Sequence, residues 1–311
     1  MVILIIVLIL ALLFLIAVRW AYGFIFYSPN KTQNTDKNIV LGPGFDYLKP
    51  KISDMIDRIN AVPYEPVSIT SFDGLKLNGR YYHVRDGAPV NICFHGYRGT
   101  PSRDFSGGAM LVLERGHNLL LIEERAQCSS EGHTITFGIN ERIDCLDWIN
   151  YCLDRFGDKT KIILVGISMG AATVLMASDL DLPDNVVGIV ADCPYSSPLG
   201  IIESVGSGMH IPKPVTRCLA ILASELFGHF DLRISSAMES VKNAKVPILL
   251  IHGEADTFVP PYMSRDIRDA NPKLTELHTF PDAGHGISFL LDPERYRRIV
   301  DSFCKRLTEE E

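Results

Sequence analysis

The sequence lacks the cysteine spacings that mark metal and redox proteins. No two of its seven cysteines form a CxxC pair; they are Cys93, Cys128, Cys145, Cys152, Cys193, Cys218 and Cys304. Zinc binding and thioredoxin-like chemistry are therefore not expected, and we predict neither a metal nor an organic cofactor. An odd, scattered set of cysteines also fits a reducing compartment better than secretion.

A strong excess of one charge is missing as well. The chain has 30 Lys and Arg against 37 Asp and Glu, a formal net charge of −7, without a long run of either sign. This balance argues against a nucleic-acid partner. Neither an internal repeat nor a low-complexity tract is present. With 311 residues, 47% of them hydrophobic, the chain is long enough for a globular domain with a large core. The acidic end, 309–311, is interpreted as a frayed tail.

Charge is absent altogether from residues 1–18. As a helix this run would span roughly 27 Å, about the thickness of the hydrocarbon core of a bilayer. A buried helix is one alternative. A cleaved signal peptide is another, but it would need a basic start, and only the α-amino group precedes the run. We therefore predict that residues 1–18 contact the lipid bilayer as a single-pass anchor.

The residues after this run suggest how the anchor ends and which way it faces. Arg19, Trp20, Tyr22 and Tyr27 resemble an interfacial belt, so the anchor and belt are assigned to 1–27. The positive residues Arg19, Lys31 and Lys37 follow the span, and no positive side chain precedes it. Positive residues favour the cytoplasmic side, which predicts a catalytic domain facing the cytoplasm.

The remaining chain divides into a linker and a catalytic domain. Residues 28–60 contain Pro29, Asn30, Thr35, Pro43 and Gly44 and are interpreted as a linker and lead-in. In 61–311 an antiparallel start is followed by alternating strands and helices, which predicts an α/β fold with helices on both faces of a mostly parallel, eight-stranded sheet. The predicted strands are 67–72, 75–84, 90–94, 118–123, 161–165, 186–191, 246–251 and 275–280. The predicted helices are 105–115, one capped by Asn140, one after the serine motif to about 178, 260–270 and 293–307, together with a mostly helical insert at about 196–240.

A serine lies between two glycines where a predicted strand becomes a helix. Gly166, Ser168 and Gly170 form a GxSxG motif inside "IILVGISMGAATVL". A nucleophile at a strand end requires a tight turn, in which the residues two before and two after it come close together and leave no room for a Cβ. The motif alone is weak, since an ordinary serine in a tight turn gives the same pattern. Its position between a strand and a helix favours a catalytic nucleophile.

A serine nucleophile needs a base and a carboxylate, and both follow later strands. Asp256 comes just past the strand in "VPILLIHGEAD", and His285 lies past the next strand in "FPDAGHGISF". Because the carboxyl ends of parallel strands share one edge of the sheet, we predict the triad Ser168, Asp256 and His285. Other residues of the right types are also near strand ends. Alternative acids are Asp282 and Glu254, and alternative bases are His95, His252 and His278.

The segment "ICFHGYRGT" places His-Gly after the strand that precedes the first crossover helix. This is where a fold with a GxSxG turn builds its oxyanion hole, so the backbone N–H groups of Tyr97 and Met169 are predicted to bind the negative oxygen. In this interpretation His95 supports the loop and takes no part in catalysis.

These segments together resemble a known superfamily. "HGYRGT", "ERAQCSSEG", "GISMG", "DCPYSS", "HGEADTFVP" and "AGHG", spread over about 64–307, are similar to those of the α/β-hydrolases, and in particular to membrane-anchored serine hydrolases grouped with S33-like and BAAT-like hydrolases. One segment departs from the pattern. Relatives usually have Gly-His-Gly or similar after Arg125, whereas this chain has Ala126, Gln127 and Cys128. This loop is expected to border the site, so the departure concerns the substrate contacts and not the triad.

The expected activity is hydrolysis of carboxylic esters through an acyl-enzyme, in the manner of an esterase or lipase. A thioesterase or a serine peptidase would use the same triad. A catalytically silent binding protein on the same scaffold is a further alternative, although such proteins commonly lack a triad member.

The insert at about 196–240 is expected to lie over the serine as a lid. It holds many apolar residues, and Pro212 and Pro214 divide it into at least two helices. We predict that Leu222 and Phe227 line an acyl pocket there, which would favour an apolar acyl substrate. The alternative is that these residues only pack the insert onto the sheet.

Overall fold

A computed structural model describes residues 1–28, 36 and 38–308. Within these residues eight strands form one sheet in the order β1-β2-β4-β3-β5-β6-β7-β8. The strands are β1 Glu65–Thr70, β2 Lys76–Tyr82, β3 Val90–Phe94, β4 Asn118–Ile122, β5 Ile162–Ile167, β6 Val186–Asp192, β7 Ile248–Gly253 and β8 Thr275–Phe280. The β1–β2 and β2–β4 pairs are antiparallel and the others are parallel. The predicted eight-stranded, mostly parallel sheet is confirmed. Pro29, Asn30, Lys31, Thr35, Lys37 and the acidic tail lie outside the described residues.

The helices cover both faces of this sheet. They are α1 Val2–Ile25, α2 Lys49–Asn60, α3 Pro101–Asp104, α4 Gly108–Glu114, α5 Glu141–Phe156, α6 Met169–Met176, α7 Pro198–Gly208, α8 Lys213–Ala223, α9 Ala237–Val241, α10 Tyr262–Ala270, α11 Ser288–Leu291 and α12 Pro293–Thr308. Asn140 precedes α5 as predicted, but its side chain makes no capping hydrogen bond.

Six of the eight predicted strands differ from the observed ones by one or two residues at an end, and one predicted helix begins late. The helix expected over 105–115 begins late, as α4 at Gly108, and a separate short helix, α3, ends before it at Asp104. Between them the chain turns at Gly107, where an added Cβ would lie 2.0 Å from the Phe289 ring. The first strand ends two residues early, at Thr70. Ser71 then closes a turn, in which its hydroxyl accepts a hydrogen bond from the Leu75 N–H at 2.9 Å.

The core lies on both faces of the parallel strands. All residues of β3, β4 and β7 are buried, as expected for strands covered by helices on each side. Ile163, Val190, Leu249 and Ile251 pack with Phe303 of α12 on one face, while the alternate residues of these strands belong to the larger cluster on the other face. This packing fixes the carboxyl edge of the sheet, where the site lies.

Helix α1 is a single helix of 24 residues, and in the described chain it alone is long and apolar enough to cross a membrane. Its side chains as far as Ile16 are exposed, whereas Val18, Ala21 and Tyr22 are buried against the domain. The belt prediction is wrong for Tyr22, whose hydroxyl lies 2.7 Å from Thr134 Oγ1. Trp20 stays 61% exposed.

The predicted linker contains regular structure near its end. A 3₁₀ turn at Asp46–Leu48 leads into α2, which buries Ile52, Ile56 and Ile59 against the domain. Pro50 stands in the first turn of α2, where it costs no hydrogen bond. The lead-in is therefore partly packed structure, and the boundary at residue 60 stays a prediction.

The insert consists of α7, α8, a π-helical turn at Ser224–Gly228, and α9. The break between α7 and α8 contains Pro212, as predicted. Helix α8 packs against α1. The Phe227 ring lies 6.0 Å from the ring of Tyr22 and 5.6 Å from the guanidinium of Arg19.

Candidate active site

Ser168 occupies a strained turn between β5 and α6. Its φ of 55° and ψ of −113° lie outside the regions that non-glycine residues commonly adopt. An added Cβ on Gly166 would lie 2.3 Å from the carbonyl oxygen of Gly170, and one on Gly170 would lie 2.0 Å from that of Phe94. Both glycines are therefore required by close backbone contact. Gly166 lies against Gly170, as predicted, whereas the clash at Gly170 is with the end of β3.

The three predicted triad residues meet at the carboxyl edge of the sheet. His285 Nε2 lies 2.9 Å from Ser168 Oγ, and His285 Nδ1 lies 2.7 Å from Asp256 Oδ2. Asp256 follows β7 and His285 follows β8, so the sheet itself brings them to Ser168 at the end of β5. This is the arrangement in which a base can take the serine proton while a carboxylate orients the base.

Hydrogen bonds hold Asp256 as a carboxylate. Burial alone would raise the pKa of Asp256, but hydrogen bonds with His252 and His285 outweigh it and hold this pKa well below its usual range. The other carboxylate oxygen, Oδ1, accepts from the backbone N–H groups of Phe258 and Val259 at 2.8 and 2.9 Å. Asp256 is thus fixed in position and charged.

The alternative acids Glu254 and Asp282 and the alternative base His278 make no hydrogen bond to His285 or Ser168 in the described chain. Glu254 pairs with Arg265, and Asp282 is exposed. His278 lies 3.9 Å from Glu276. His252 contacts the site indirectly, because its Nε2 lies 3.3 Å from Asp256 Oδ2. The sequence does not predict this contact, because His252 lies in β7 and Asp256 in the turn after it, where no helical spacing relates the two residues.

His95 supports the neighbouring loop, as predicted. Its Nε2 accepts a hydrogen bond from the Glu124 N–H at 3.1 Å, so its Nδ1 carries the proton and donates to the Gly96 carbonyl at 2.9 Å. Burial lowers the pKa of His95, which agrees with this neutral form. His95 is therefore occupied by backbone partners.

The two residues predicted for the oxyanion hole flank the serine. Met169 is the first residue of α6, and Tyr97 lines the same cavity as Ser168. An added Cβ on Gly96, the residue before Tyr97, would lie 3.4 Å from Ser168 Cβ. The N-terminus of α6 and the 96–99 loop thus adjoin the serine, a position from which backbone N–H groups can stabilise developing negative charge.

The end of α1 is bonded to this loop. The Tyr97 hydroxyl donates to the Ile25 carbonyl at 2.7 Å, and the Arg98 guanidinium donates to the carbonyls of Phe24 and Tyr27 at 3.1 and 3.0 Å. A cation at a helix C-terminus is also favoured by the helix dipole. The predicted anchor is therefore attached to the loop that borders Ser168.

A cavity of about 720 Å³ opens at Ser168 and His285. Its lining includes residues of 38–45, the 96–98 loop, and residues 255, 257 and 258, but in the described chain no residue of the insert 196–240. The structure therefore does not place Leu222 or Phe227 in the cavity. Both pack against the main core cluster, and Phe227 lies on α1, because the insert folds toward the anchor and not over the serine.

A sequence model of the prolyl oligopeptidase family matches residues 136–310, more than half of the chain and the part that carries all three triad residues. The chain belongs to the prolyl oligopeptidase family. This membership and the α/β-hydrolase fold support a serine hydrolase in general. The narrower resemblance to S33-like and BAAT-like hydrolases is not confirmed by the comparisons.

Relatives of this family member are distant in sequence but similar in fold. The uncharacterized protein YqkD of Bacillus subtilis is 22% identical over 200 residues, which are 64% of this chain and 66% of YqkD, just under two thirds. The uncharacterized membrane protein YNL320W of Saccharomyces cerevisiae is 23% identical over 74% of this chain and 76% of its own length. The Pyrococcus furiosus esterase Pf2001 superposes with a TM-score of 0.66 at 23% identity over 87% of this chain and 97% of the esterase.

The loop that departs from the superfamily pattern keeps the backbone of a glycine-rich segment. Ala126 and Cys128 have φ values of 60° and 49°, in the left-handed region that glycine favours. The loop does not line the cavity, contrary to the expectation that it borders the site. Instead it supports the 96–99 loop, because Cys128 Sγ contacts the Gly99 carbonyl at 3.6 Å.

Two triad residues and a neighbouring cysteine have side chains of the kinds that bind metals. Cys193, Asp256 and His285 offer ligand atoms within 4.8 Å of one another. However, Asp256 and His285 are hydrogen-bonded to each other, and burial raises the pKa of Cys193 well above its usual range. The thiolate that a metal requires is thus disfavoured, and the group fits a hydrolytic triad better than a metal centre.

Proposed function

We propose that this member of the prolyl oligopeptidase family hydrolyses carboxylic esters through an acyl-enzyme on Ser168. The observation that carries the proposal is the continuous set of hydrogen bonds from Ser168 Oγ to His285 and on to Asp256, at 2.9 and 2.7 Å. An ordinary serine in a tight turn would not need these partners.

The proposed mechanism follows from this geometry. Ser168 Oγ attacks the ester carbonyl carbon while His285 Nε2 takes its proton, and Asp256 stabilises the imidazolium that forms. The N–H groups of Tyr97 and Met169 bind the oxyanion. His285 then gives the proton to the leaving alcohol. Water attacks the acyl-enzyme with His285 again as base, which releases the acid and restores Ser168.

The character of the cavity favours a substrate with apolar groups. Val40 and Phe258 line it and are 79% and 48% exposed, and the Phe258 ring lies 5.1 Å from that of His285. An apolar mouth beside the reacting atoms suits an apolar acyl group. A serine peptidase is the second candidate, because the family whose model matches is named for an oligopeptidase.

The test compares an ester, a thioester and an amide that share one acyl group. We expect kcat/KM to be highest for the ester, and we expect a fluorophosphonate probe to label Ser168. The Ser168→Ala variant serves as the control for both measurements. Faster cleavage of the amide than of the ester would favour the peptidase, and a wild-type protein that resists labelling would favour a binding role.

We also propose that α1 anchors the protein in a membrane with the catalytic domain facing the cytoplasm. The support is the exposed apolar surface of α1, the relative from yeast that is named a membrane protein, and Arg19 after the span. The protein should stay with membranes after a carbonate wash, and protease added to intact cells should spare the domain. Rapid digestion under these conditions would show that the domain faces the outside of the cell.

A further inference from the structure

The wall of the cavity at Ser168 includes a part of the chain that sequence patterns treat as a linker. Residues 38–45, which we call the wall segment, contribute five apolar side chains to the lining, those of Ile39, Val40, Leu41, Pro43 and Phe45. The polar Asn38 and Gly42 line it as well. The wall segment connects the lead-in after α1 with the 3₁₀ turn before α2.

Hydrogen bonds attach the start of the wall segment to the loop beside the oxyanion hole. The Asn38 carbonyl accepts from Arg103 Nη1 at 3.0 Å. Arg103 also pairs with Asp104, whose other carboxylate oxygen accepts the Gly96 N–H at 2.8 Å. Just upstream, the Asp36 carboxylate accepts from the Thr100 hydroxyl at 2.5 Å. This end of the segment is therefore held by the same residues that shape the 96–99 loop.

The other end packs on the loop that carries the triad histidine. An added Cβ on Gly284, the residue before His285, would lie 2.9 Å from the Phe45 ring. Ile39, Leu41 and Phe45 are also partly buried against the core cluster formed with α2 and α12. The wall segment is thus positioned from both sides of the triad.

One residue of this segment has an apolar side chain with no packing role. Val40 lines the cavity but is 79% exposed, whereas Ile39 and Leu41 on either side of it are partly buried. Phe258, 48% exposed, lines the same cavity next to His285. Exposed apolar side chains at a cavity mouth are typical of a surface that a ligand covers.

We propose that the wall segment, and not the helical insert, forms the apolar side of the substrate site and sets the preference for long apolar groups. This inference rests on the proposed function, since it assigns the substrate class of the same serine. Each methylene buried against the segment raises the rate of reaction at Ser168 by up to about fourfold.

The test measures second-order rates of Ser168 labelling by fluorophosphonates with an ethyl and a dodecyl chain, on the full chain in lipid nanodiscs. In the wild type the dodecyl probe should react faster. Val40→Asp should reduce the ratio of the two rates at least tenfold, and the neutral Val40→Asn should reduce it less. Val215→Asp is the matched control, because Val215 lies in α8 of the insert and is 47% exposed. It should leave the ratio within about twofold of the wild-type value.

The outcomes separate this inference from the proposed function. No labelling of the wild type by either probe would overturn both. Labelling with a ratio that Val40→Asp leaves unchanged would overturn the inference alone, and a ratio that falls only in Val215→Asp would assign selectivity to the insert. Folding of each variant is checked by its melting temperature, since an exposed valine contributes little to stability.

Discussion

Ser168→Ala should reduce kcat for the best ester substrate by about 10⁵-fold or more and abolish fluorophosphonate labelling. The change removes the attacking oxygen, Ser168 Oγ. Within the described chain the only hydrogen-bond partner of this oxygen is His285. His285→Ala should reduce kcat by about the same factor, because the members of a triad act as a unit and Ser168 is a poor nucleophile without its base. The double variant should be no slower than either single variant.

The fold of Ser168→Ala should stay intact. Alanine keeps the Cβ that the turn already accommodates, and the loss of one hydrogen bond should change the free energy of unfolding by about 1 kcal/mol at most. Ser207→Ala is a suitable control, because Ser207 is exposed in α7 and its hydroxyl donates to the Glu203 carbonyl of the same helix at 2.8 Å. Activity of Ser168→Ala near that of Ser207→Ala would contradict the assignment of the nucleophile.

The sheet and the placement of the triad could be predicted because they depend on strong local patterns. Buried parallel strands appear as continuous apolar runs, such as 119–122 and 248–251, and chain order places their carboxyl ends along one edge. Ser168 and Asp256 each follow such a run, whereas His285 follows the mixed strand β8. Their common location depends only on the order of the strands in the sheet, which the sequence pattern predicts.

The substrate side of the site could not be predicted in this way. The wall segment contains Gly42, Pro43 and Gly44 and shows no periodic pattern, so its sequence is typical of a linker. Its contacts with Gly284 and Arg103 are long-range and depend on the completed fold. The prediction that the insert lines an acyl pocket is wrong for the opposite reason. Its apolar residues have a helical pattern, but the pattern does not say which surface they cover, and Phe227 covers α1.

Tyr22 near the end of the predicted anchor also makes a long-range contact that the sequence does not show. A tyrosine just after an apolar run resembles a residue of a membrane interface, yet its hydroxyl reaches Thr134 on the domain. The bonds from Tyr97 and Arg98 to the end of α1 are equally invisible in the sequence. Together these contacts place the end of α1 beside the 96–99 loop, which adjoins Ser168.

The assignment of Asp256 as the acid, with Asp282 and Glu254 as alternatives, leads to the second large effect. Asp256→Asn should lower kcat by about 10³- to 10⁴-fold, less than the loss of Ser168. An amide in place of the carboxylate can donate a hydrogen bond to His285 Nδ1, which favours the tautomer with the proton on Nε2. That tautomer cannot accept the Ser168 proton. The neutral amide would also no longer stabilise the imidazolium.

Asp282→Asn is the matched control for this variant, with the same chemical change at an exposed position between β8 and His285. It should leave kcat within about twofold of wild type, because surface substitutions away from a site have small effects. Asp256→Asn should keep its fold, since the amide oxygen can still accept the N–H groups of Phe258 and Val259. If kcat falls further in Asp282→Asn than in Asp256→Asn, the hydrogen bond at 2.7 Å does not identify the working acid, and His285 takes its orientation from another carboxylate during turnover.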